Sequence, residues 1–375
     1  MSRILLKNAL IWPSKEKADI LVEGTKIKKI GEKLDALEAD EVIEVDEKVV
    51  FPGFFNTHVH LYGVEGPLDD DLIRSFVKGG CTTVRDMGMT SPLDYQVYTE
   101  WLSKRRTADF PTVFASSKFL SGKNTYGTMH PSGKLIGYVI EETPEGARKA
   151  VDKMVDAGAD QIKTGLDYGM DPNNPLDYLP DDCFRAICER AKERGVPSAA
   201  HITKPDNTVK AAKLGLTEAA HTPTEALSDE DVKIIKESGM YVNTTMSIFD
   251  QVSKATGEDI MDAVLQNVRK LYRAGVQMSL GTDYMHEAPP EETAGIPVHE
   301  LQLCIKAGLT IEEAIKLGTE DAAKVCRLSD KKGSIAEGMD ADLFISSENV
   351  SETFEAFKPE KIKFVMHEGK VIMNR

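Results

Sequence analysis

Two histidines one residue apart, His58 and His60, stand at the end of an apolar run that begins at Phe54. If this run is a β-strand, alternate side chains share a face, so both imidazoles point the same way, about 7 Å apart. Two imidazoles converging from one strand suit a borderline divalent metal such as zinc. An isolated His-x-His pair is also typical of polar residues at a strand end, so the rest of the chain must decide.

Further metal-competent side chains end other short runs of the chain. A lysine, two histidines and an aspartate each close such a run, and they are Lys163, His201, His221 and Asp283. Singly, the histidines are typical of buried core residues and the aspartate of a helix cap. Together with His58 and His60, these four predict a metal site, provided that all five runs end at the same height of one fold.

The middle of the chain supplies such a fold, because short apolar runs alternate there with stretches of helical period. Candidate strands begin near Gly53, Cys81, Thr112, Ala159, Val196, Thr217, Met240 and Gln277. After the seventh strand we predict one helix, over Asp259–Ala274. After the eighth strand we predict two more, over Val298–Lys306 and Ile311–Cys326. Strand and helix repeated eight times indicate an α/β protein with a (β/α)8 TIM barrel, whose reactive groups lie at the carboxyl ends of the strands.

Both ends of the chain have a different sequence pattern, in which short apolar runs are separated by turn residues. We expect them to pair as one small discontinuous β-sandwich domain formed by residues 1–52 and 330–375. The barrel would then span residues 53–329.

Composition excludes several classes of protein. The 375 residues carry a net charge of −15 and no long basic patch, which argues against nucleic acid or an anionic membrane as partner. The five cysteines are scattered without a C-x-x-C pair, as is typical of free thiols in a reducing compartment. No signal peptide or membrane-spanning run is apparent, so we expect a cytoplasmic protein, and we expect it to be a homo-oligomer.

Several motifs, beyond the metal-competent residues, resemble the amidohydrolase superfamily over nearly the whole chain. They are Ile20-Leu21-Val22-Glu23-Gly24, Phe51-Pro52-Gly53-Phe54 before the His-x-His, Gly80-Cys81-Thr82-Thr83-Val84-Arg85-Asp86, Gly281-Thr282-Asp283 and Gly333-Ser334-Ile335-Ala336-Glu337-Gly338. Within the superfamily, Ala159-Asp160-Gln161-Ile162-Lys163 is similar to the imidazolonepropionase-related group that includes Xaa-Pro dipeptidase (prolidase)-like enzymes. There the lysine is carboxylated and bridges two metals.

The resemblance implies a metal-dependent hydrolase with two divalent ions, for which we expect zinc, with manganese or iron as alternatives. His58, His60 and Asp283 would hold the first ion, His201 and His221 the second, and Lys163, as a carbamate formed with carbon dioxide, would span both. A metal-bridging hydroxide would attack an amide-type C–N bond of a dipeptide, an N-acyl amino acid or a cyclic amide. Asp283 would act as general base and then as general acid.

Loops after the strands should bind the small-molecule or dipeptide substrate. We expect His130 and Tyr168 to contact its carboxylate or carbonyl, with Tyr126 and Tyr284 beside them. For Arg85 and Asp86, at the end of the second strand, we predict a structural ion pair. The segment after Asp283 brings His286 and the acidic residues Glu287, Glu291 and Glu292, which we interpret as a solvated loop.

Other functions remain open at this point. With Lys163 as an ordinary salt-bridged lysine, the site would be that of a mononuclear cyclic-amide hydrolase. Deaminases of the superfamily usually have His-x-x-Glu after strand 5, whereas here His201-Ile202-Thr203-Lys204 brings a lysine to that position. A non-catalytic amidohydrolase-like scaffold is a further alternative. A scaffold that had lost catalysis would be expected to have lost metal ligands, and none of the predicted ligands is missing.

Overall fold

The computed structural model describes residues 2–34, 39–169, 175–285 and 294–375. The loop predicted to contain His286, Glu287, Glu291 and Glu292 lies outside the described residues.

Strands from both ends of the chain form one sheet. In the described ranges it has eight strands, which are β1 (Arg3–Ile11), β2 (Glu16–Glu23), β3 (Lys26–Gly31), β4 (Glu41–Glu44), β5 (Val49–Pro52), β17 (Leu343–Ser346), β18 (Ile362–His367) and β19 (Lys370–Asn374). Strand β17 pairs antiparallel with β5, which pairs parallel with β1, so backbone hydrogen bonds join the two ends of the chain. Leu6, Ile20, Leu343 and Met366 belong to its own buried core. The predicted separate β unit from both termini is confirmed.

A parallel barrel lies between these terminal segments. Its eight strands, counted over the described part of the chain, are β6 (Phe54–Val59), β9 (Cys81–Asp86), β10 (Thr112–Ser121), β12 (Gln161–Gly165), β13 (Ser198–His201), β14 (Glu218–Ala219), β15 (Tyr241–Asn243) and β16 (Met278–Ser279). The chain after β16 closes the ring onto β6, because Thr57 N donates to Leu280 O over 2.9 Å and Asp283 N donates to His58 O over 2.9 Å. The predicted (β/α)8 barrel is therefore confirmed. Short strands β7 (Tyr62–Gly63) and β8 (Gly66–Pro67) form a hairpin after β6, and β11 (Tyr138–Val139) adds to β10.

Amphipathic helices cover the barrel. They are α1 (Asp70–Lys78), α2 (Tyr95–Ser103), α3 (Pro144–Asp156), α4 (Asp181–Glu193), α5 (Pro205–Lys213), α6 (Asp229–Ser238), α7 (Met246–Thr256), α8 (Met261–Ala274), α9 (Val298–Lys306), α10 (Ile311–Leu317) and α11 (Glu320–Val325). Side chains of Asp69, Thr143 and Ser228 accept hydrogen bonds from first-turn N–H groups, which explains why three of these helices begin where they do. None of the helices in the described ranges has the length and apolar character that crossing a membrane requires.

The helices differ from the prediction in two places. Helix α7 was not predicted at all, and the single helix predicted over Ile311–Cys326 is two helices that separate at Gly318. A Cβ at Gly318 would lie 2.0 Å from Phe54 Cε1, and the Gly318 carbonyl accepts a hydrogen bond from Phe55 N over 2.8 Å. Because this carbonyl bonds to the first barrel strand, it cannot continue a helix, and only glycine fits the space.

A buried polar layer fills the barrel beneath the carboxyl ends of its strands. Arg85 on β9 forms a bidentate ion pair with Glu218 on β14, and both side chains are fully buried. Arg85 Nε also donates to Thr57 O over 2.7 Å, next to His58. The predicted ion pair between Arg85 and Asp86 was wrong, since strand alternation points the two side chains to opposite faces. Asp86 instead accepts the Tyr98 hydroxyl over 2.8 Å.

Candidate metal centre

Strand β6 and the turn after β16 bring three potential metal ligands together. His58 Nε2 and His60 Nε2 each lie 3.1 Å from Asp283 Oδ1, and potential ligand atoms of the three residues all lie within 4.8 Å of one another. The other ring nitrogens are held by main-chain oxygens: His58 Nδ1 lies 3.1 Å from Ala220 O and His60 Nδ1 lies 2.9 Å from Gly88 O. These contacts direct both Nε2 atoms toward the carboxylate, an arrangement common to histidines that bind metals.

The surroundings of the Asp283 carboxylate suit a bound cation. Its Oδ1 is buried, and no atom of the described residues satisfies hydrogen-bond geometry toward it, although two imidazole nitrogens lie at ion-pair distance. A buried oxygen without an aligned donor is costly. The Asp283 backbone is also left-handed, with φ 61°, which is an uncommon conformation for a residue with a side chain. An orphaned oxygen beside two converging nitrogens is a donor set that would suit a divalent ion.

A glycine lets the Asp283 turn approach β6 closely. A Cβ at Gly281 would lie 2.6 Å from Asn243 Oδ1 and 2.7 Å from His58 Cβ. We therefore expect Gly281→Ala to displace His58, to lower the free energy of unfolding by about 1–3 kcal/mol and to reduce bound metal. Urea unfolding and metal analysis check this expectation. Gly31→Ala is the matched control, because a Cβ there meets Leu34 Cδ2 at an ordinary 3.4 Å. Unchanged stability and metal content in Gly281→Ala would contradict the account of this turn.

His201 and His221 come from the ends of the next strands and complete a group of four imidazoles. The ring centre of His221 lies 4.6 Å from that of His201 and 4.9 Å from that of His58. His221 Nδ1 lies 3.0 Å from Thr245 Oγ1, and the His201 ring stacks on Tyr126 with centres 3.8 Å apart. The structure thus gathers all four predicted histidines at the carboxyl end of the barrel.

Burial sets the protonation of these histidines. It lowers the pKa of His58 to about 3, against the opposing effect of Asp283, and it lowers the pKa of His201 to about 3, assisted by Lys163. The pKa of His221 is held well below its ordinary value by burial and by the neighbouring imidazoles. His60 differs, because Asp283 outweighs burial and raises its pKa. Three of the four rings are therefore neutral at pH 7, which is the metal-binding form.

Lys163, on β12, is the buried amine of the group. Only 1% of it is exposed, and its Nζ lies 5.3 Å from the centre of the Phe119 ring. Burial lowers the pKa of Lys163 to about 7, with Asp283 and Glu218 opposing that shift. A neutral amine is the form that can add carbon dioxide, so this environment is compatible with a carbamate.

The four residues predicted to bind substrate lie in different surroundings. Tyr126 is next to the histidines, and burial followed by the charges of Asp283 and Asp167 raises the pKa of its phenol. Tyr168 lies under Lys204, whose Nζ is 5.7 Å from the ring centre. His130 occupies a turn where its Nδ1 lies 2.8 Å from Ser132 Oγ. Tyr284 packs its ring edge-on against Phe76, with centres 5.3 Å apart, in an apolar cluster beside α1.

Asp167 is a further residue near the histidines that was not predicted. This buried carboxylate follows β12, and its Oδ2 accepts hydrogen bonds from Thr203 N over 2.9 Å and Thr203 Oγ1 over 2.6 Å. The same oxygen lies 4.0 Å from His201 Nε2. Its position four residues after Lys163 was the available signal, since the loop after a barrel strand faces the reactive end of the barrel.

Comparison with known proteins shows the family of the chain. The model of the amidohydrolase family matches residues 49–372, which is most of the chain. The chain belongs to the amidohydrolase family. This amidohydrolase is 24% identical to an imidazolonepropionase of Christiangramia forsetii, over 96% of this chain and 93% of that protein. It is 23% identical to a 5'-deoxyadenosine deaminase of Methanocaldococcus jannaschii, over 91% of this chain and 85% of that protein.

A solved structure supports the fold assignment. The crystal structure of a Xaa-Pro dipeptidase with bound methionine superimposes with a TM-score of 0.81 at 21% identity, covering 99% of each chain. Imidazolonepropionase and Xaa-Pro dipeptidase are the two relatives that the motifs indicated, so the predicted family is confirmed. The amidohydrolase is accordingly a hydrolase of this superfamily.

Lys204 is the feature that separates this amidohydrolase from the deaminase pattern. It occupies the position, three residues after His201, where superfamily deaminases usually have glutamate. Lys204 Nζ lies 2.6 Å from Glu225 Oε1, so the site has a cation paired at its rim where the deaminase pattern places a carboxylate.

Proposed function

We propose that this amidohydrolase is a metal-dependent hydrolase that cleaves an amide-type C–N bond in a dipeptide, an N-acyl amino acid or a cyclic amide. The observation that carries the proposal is the convergence of His58 Nε2 and His60 Nε2 on the orphaned Asp283 Oδ1, each over 3.1 Å. Membership in the amidohydrolase family supports the same reaction class.

Two groups of residues would hold the metal ions. His58, His60 and Asp283 form the first group, and His201 and His221 form the second, with Lys163 as a carbamate between them. When bound, divalent ions polarise a carbonyl group and lower the pKa of water. Neutral imidazoles and a lysine with a pKa of about 7 are the protonation states that such binding requires.

Asp283 would carry the proton of the reaction. Burial raises the pKa of this carboxyl, but His58 and His60 outweigh burial and hold its pKa well below the ordinary value. The carboxylate is therefore ionised at neutral pH and can accept a proton from the attacking water. It would then donate that proton to the nitrogen of the leaving amine, as one group serving as base and acid in turn.

Tyr126 is the best supported of the four residues proposed to contact substrate. Its raised pKa keeps the phenol protonated, so it can donate a hydrogen bond to a substrate oxygen. Its stacking on His201 fixes the ring beside the centre. Tyr168 and His130 would contact parts of the substrate that lie farther from the metal ligands. We do not retain Tyr284, because its ring packs against Phe76.

A substrate panel tests the proposal. Purified, metal-loaded protein would be assayed with Xaa-Pro and other dipeptides, N-acyl amino acids and cyclic amides, with the hydrolysis products measured by mass spectrometry. We expect turnover of at least one of these three classes and none in a His58→Ala variant. Ammonia release from 5'-deoxyadenosine would instead support a deaminase, the function of one relative. No turnover by fully loaded protein would contradict the proposed hydrolase.

The pH dependence of reconstitution tests the role of Lys163. With a pKa of about 7, the neutral fraction of the amine rises from about 10% at pH 6 to about 90% at pH 8. We expect metal-free protein to regain activity faster at pH 8 than at pH 6, at a fixed concentration of dissolved carbon dioxide. Lys163→Ala with added acetate is the control, since it has no amine at this position to titrate. Reconstitution that is equally fast at both pH values would contradict carbamate formation.

A further inference from the structure

The histidines of the candidate centre are not all held in the same way. Main-chain carbonyls hold the Nδ1 atoms of His58 and His60, and these carbonyls belong to residues next to barrel strands. His221 Nδ1 instead lies 3.0 Å from the side-chain hydroxyl of Thr245. The orientation of His221 therefore depends on where the chain puts Thr245.

Thr245 occupies an unfavourable backbone conformation. Its φ is 38° and its ψ is 37°, in the left-handed region, where a β-branched residue is a genuine outlier. Thr245 is the residue before α7, and its side chain forms no capping hydrogen bond with that helix. Such strain persists only where surrounding groups fix the backbone.

Thr245 N donates to Gly281 O over 3.1 Å, and Glu300, on α9, holds the two residues that follow Thr245. The Glu300 side chain is fully buried and accepts hydrogen bonds from Met246 N over 2.9 Å and Ser247 N over 2.7 Å, as well as from the Ser247 hydroxyl. These are the first residues of α7, so Glu300 supplies the helix cap that Thr245 does not. A second contact joins the same helices, because His299 Nε2 lies 2.8 Å from Asp250 Oδ2 on α7.

We propose that Glu300 is a positioning residue for the metal centre, acting through Thr245 on His221. It fixes the start of α7, which holds Thr245 in its left-handed conformation and presents the Thr245 hydroxyl to His221 Nδ1. This inference rests on the proposed function, in which His221 binds the second ion. Groups that orient a metal-bound histidine typically change metal affinity about 10–100-fold when they are removed.

Metal affinity of three variants tests the inference. Thr245→Val removes the hydroxyl and keeps the shape, Glu300→Ala removes the cap, and Glu300→Gln keeps one acceptor without the charge. Competition with a chromophoric zinc chelator measures the two binding steps of the metal-free protein separately. We expect Thr245→Val and Glu300→Ala to weaken one step about 10–100-fold and to leave the other within about twofold, with Glu300→Gln intermediate.

Asp342→Asn is the matched control for a merely structural effect. Asp342 is also a buried carboxylate that accepts a backbone N–H, from Glu368 over 2.8 Å, and it lies at the opposite end of the barrel, where its carbonyl accepts Gly53 N. We expect this variant to unfold at a lower temperature but to bind both zinc ions as the wild type does. An equal loss of zinc affinity in Asp342→Asn and Glu300→Ala would overturn the inference.

A double variant tests whether the two residues act in one path. If Glu300 acts through Thr245, the combined Glu300→Ala and Thr245→Val changes should weaken zinc binding no more than the stronger single change. Additive losses would overturn the inference, and so would wild-type affinity in Thr245→Val, which remains informative even if Glu300→Ala fails to fold. His221→Ala separates the two proposals. If it weakens zinc binding while the Glu300 and Thr245 variants do not, only this inference fails; if it has no effect, the proposed function of His221 fails as well.

Discussion

Replacing Lys163 with alanine should lower kcat/KM by about 10³-fold, or about 4 kcal/mol of transition-state stabilisation, together with loss of bound metal. The reason is electrostatic: two dications at close separation repel each other, and the anionic carbamate proposed between them offsets that repulsion. Short carboxylic acids should partly restore both metal content and activity, because they can occupy the space left by the side chain. Elemental analysis and initial rates, with and without acetate or propionate, measure the effect.

Lys118→Ala is the matched control for this prediction. Lys118 is also buried, with 6% exposed, but it lies on β10 and its Nζ donates to Leu93 O over 2.8 Å. We expect no response of this variant to carboxylic acids. If Lys163→Ala keeps wild-type metal content and activity, the carbamate is excluded, and Lys163 is then a buried amine beside a mononuclear centre.

Asp283→Asn should lower kcat by about 10²–10⁴-fold, the range of general acid–base catalysis. Asparagine keeps the shape and one oxygen, but it cannot accept the proton that the carboxylate would take from water. Because asparagine removes a negative charge beside His58 and His60, some loss of metal affinity should accompany the loss of rate. Rates are therefore compared at saturating metal, where the chemical step is measured separately from metal binding.

Asp160→Asn provides the comparison for Asp283→Asn. Asp160 is a half-buried aspartate before β12, at the other end of the barrel, where its Oδ2 accepts Ala115 N over 2.9 Å. We expect its kcat to stay within about threefold of the wild type, a change of less than 1 kcal/mol in the barrier. A kcat of Asp283→Asn within this same range would remove Asp283 from the proposed proton transfer.

Strand ends made most of the candidate centre predictable. A barrel places the carboxyl ends of all its strands at one face, so the order of apolar runs was enough to bring His58, His201 and His221 together. Period-two alternation fixed the shared direction of His58 and His60. Both rules apply because the barrel repeats one strand–helix unit, so each strand places its carboxyl end at the same face.

Long-range contacts made the remainder unpredictable. Helix α7 begins without a side-chain cap from its own segment, because its cap is Glu300, more than fifty residues away. The break at Gly318 depends on the distant Phe54 ring. The ion-pair partner of Arg85 was equally unpredictable, since Arg85 pairs with Glu218 on another strand rather than with the adjacent Asp86. In each case the deciding partner is close only after folding.

Metal analysis of protein purified without chelator tests the central claim most directly. The account predicts about two divalent ions per chain, with less in His58→Ala and in His221→Ala, because each variant removes a proposed ligand. Protein that contains almost no metal, and that takes up none when zinc is added, would contradict the claim that these side chains gather around cations.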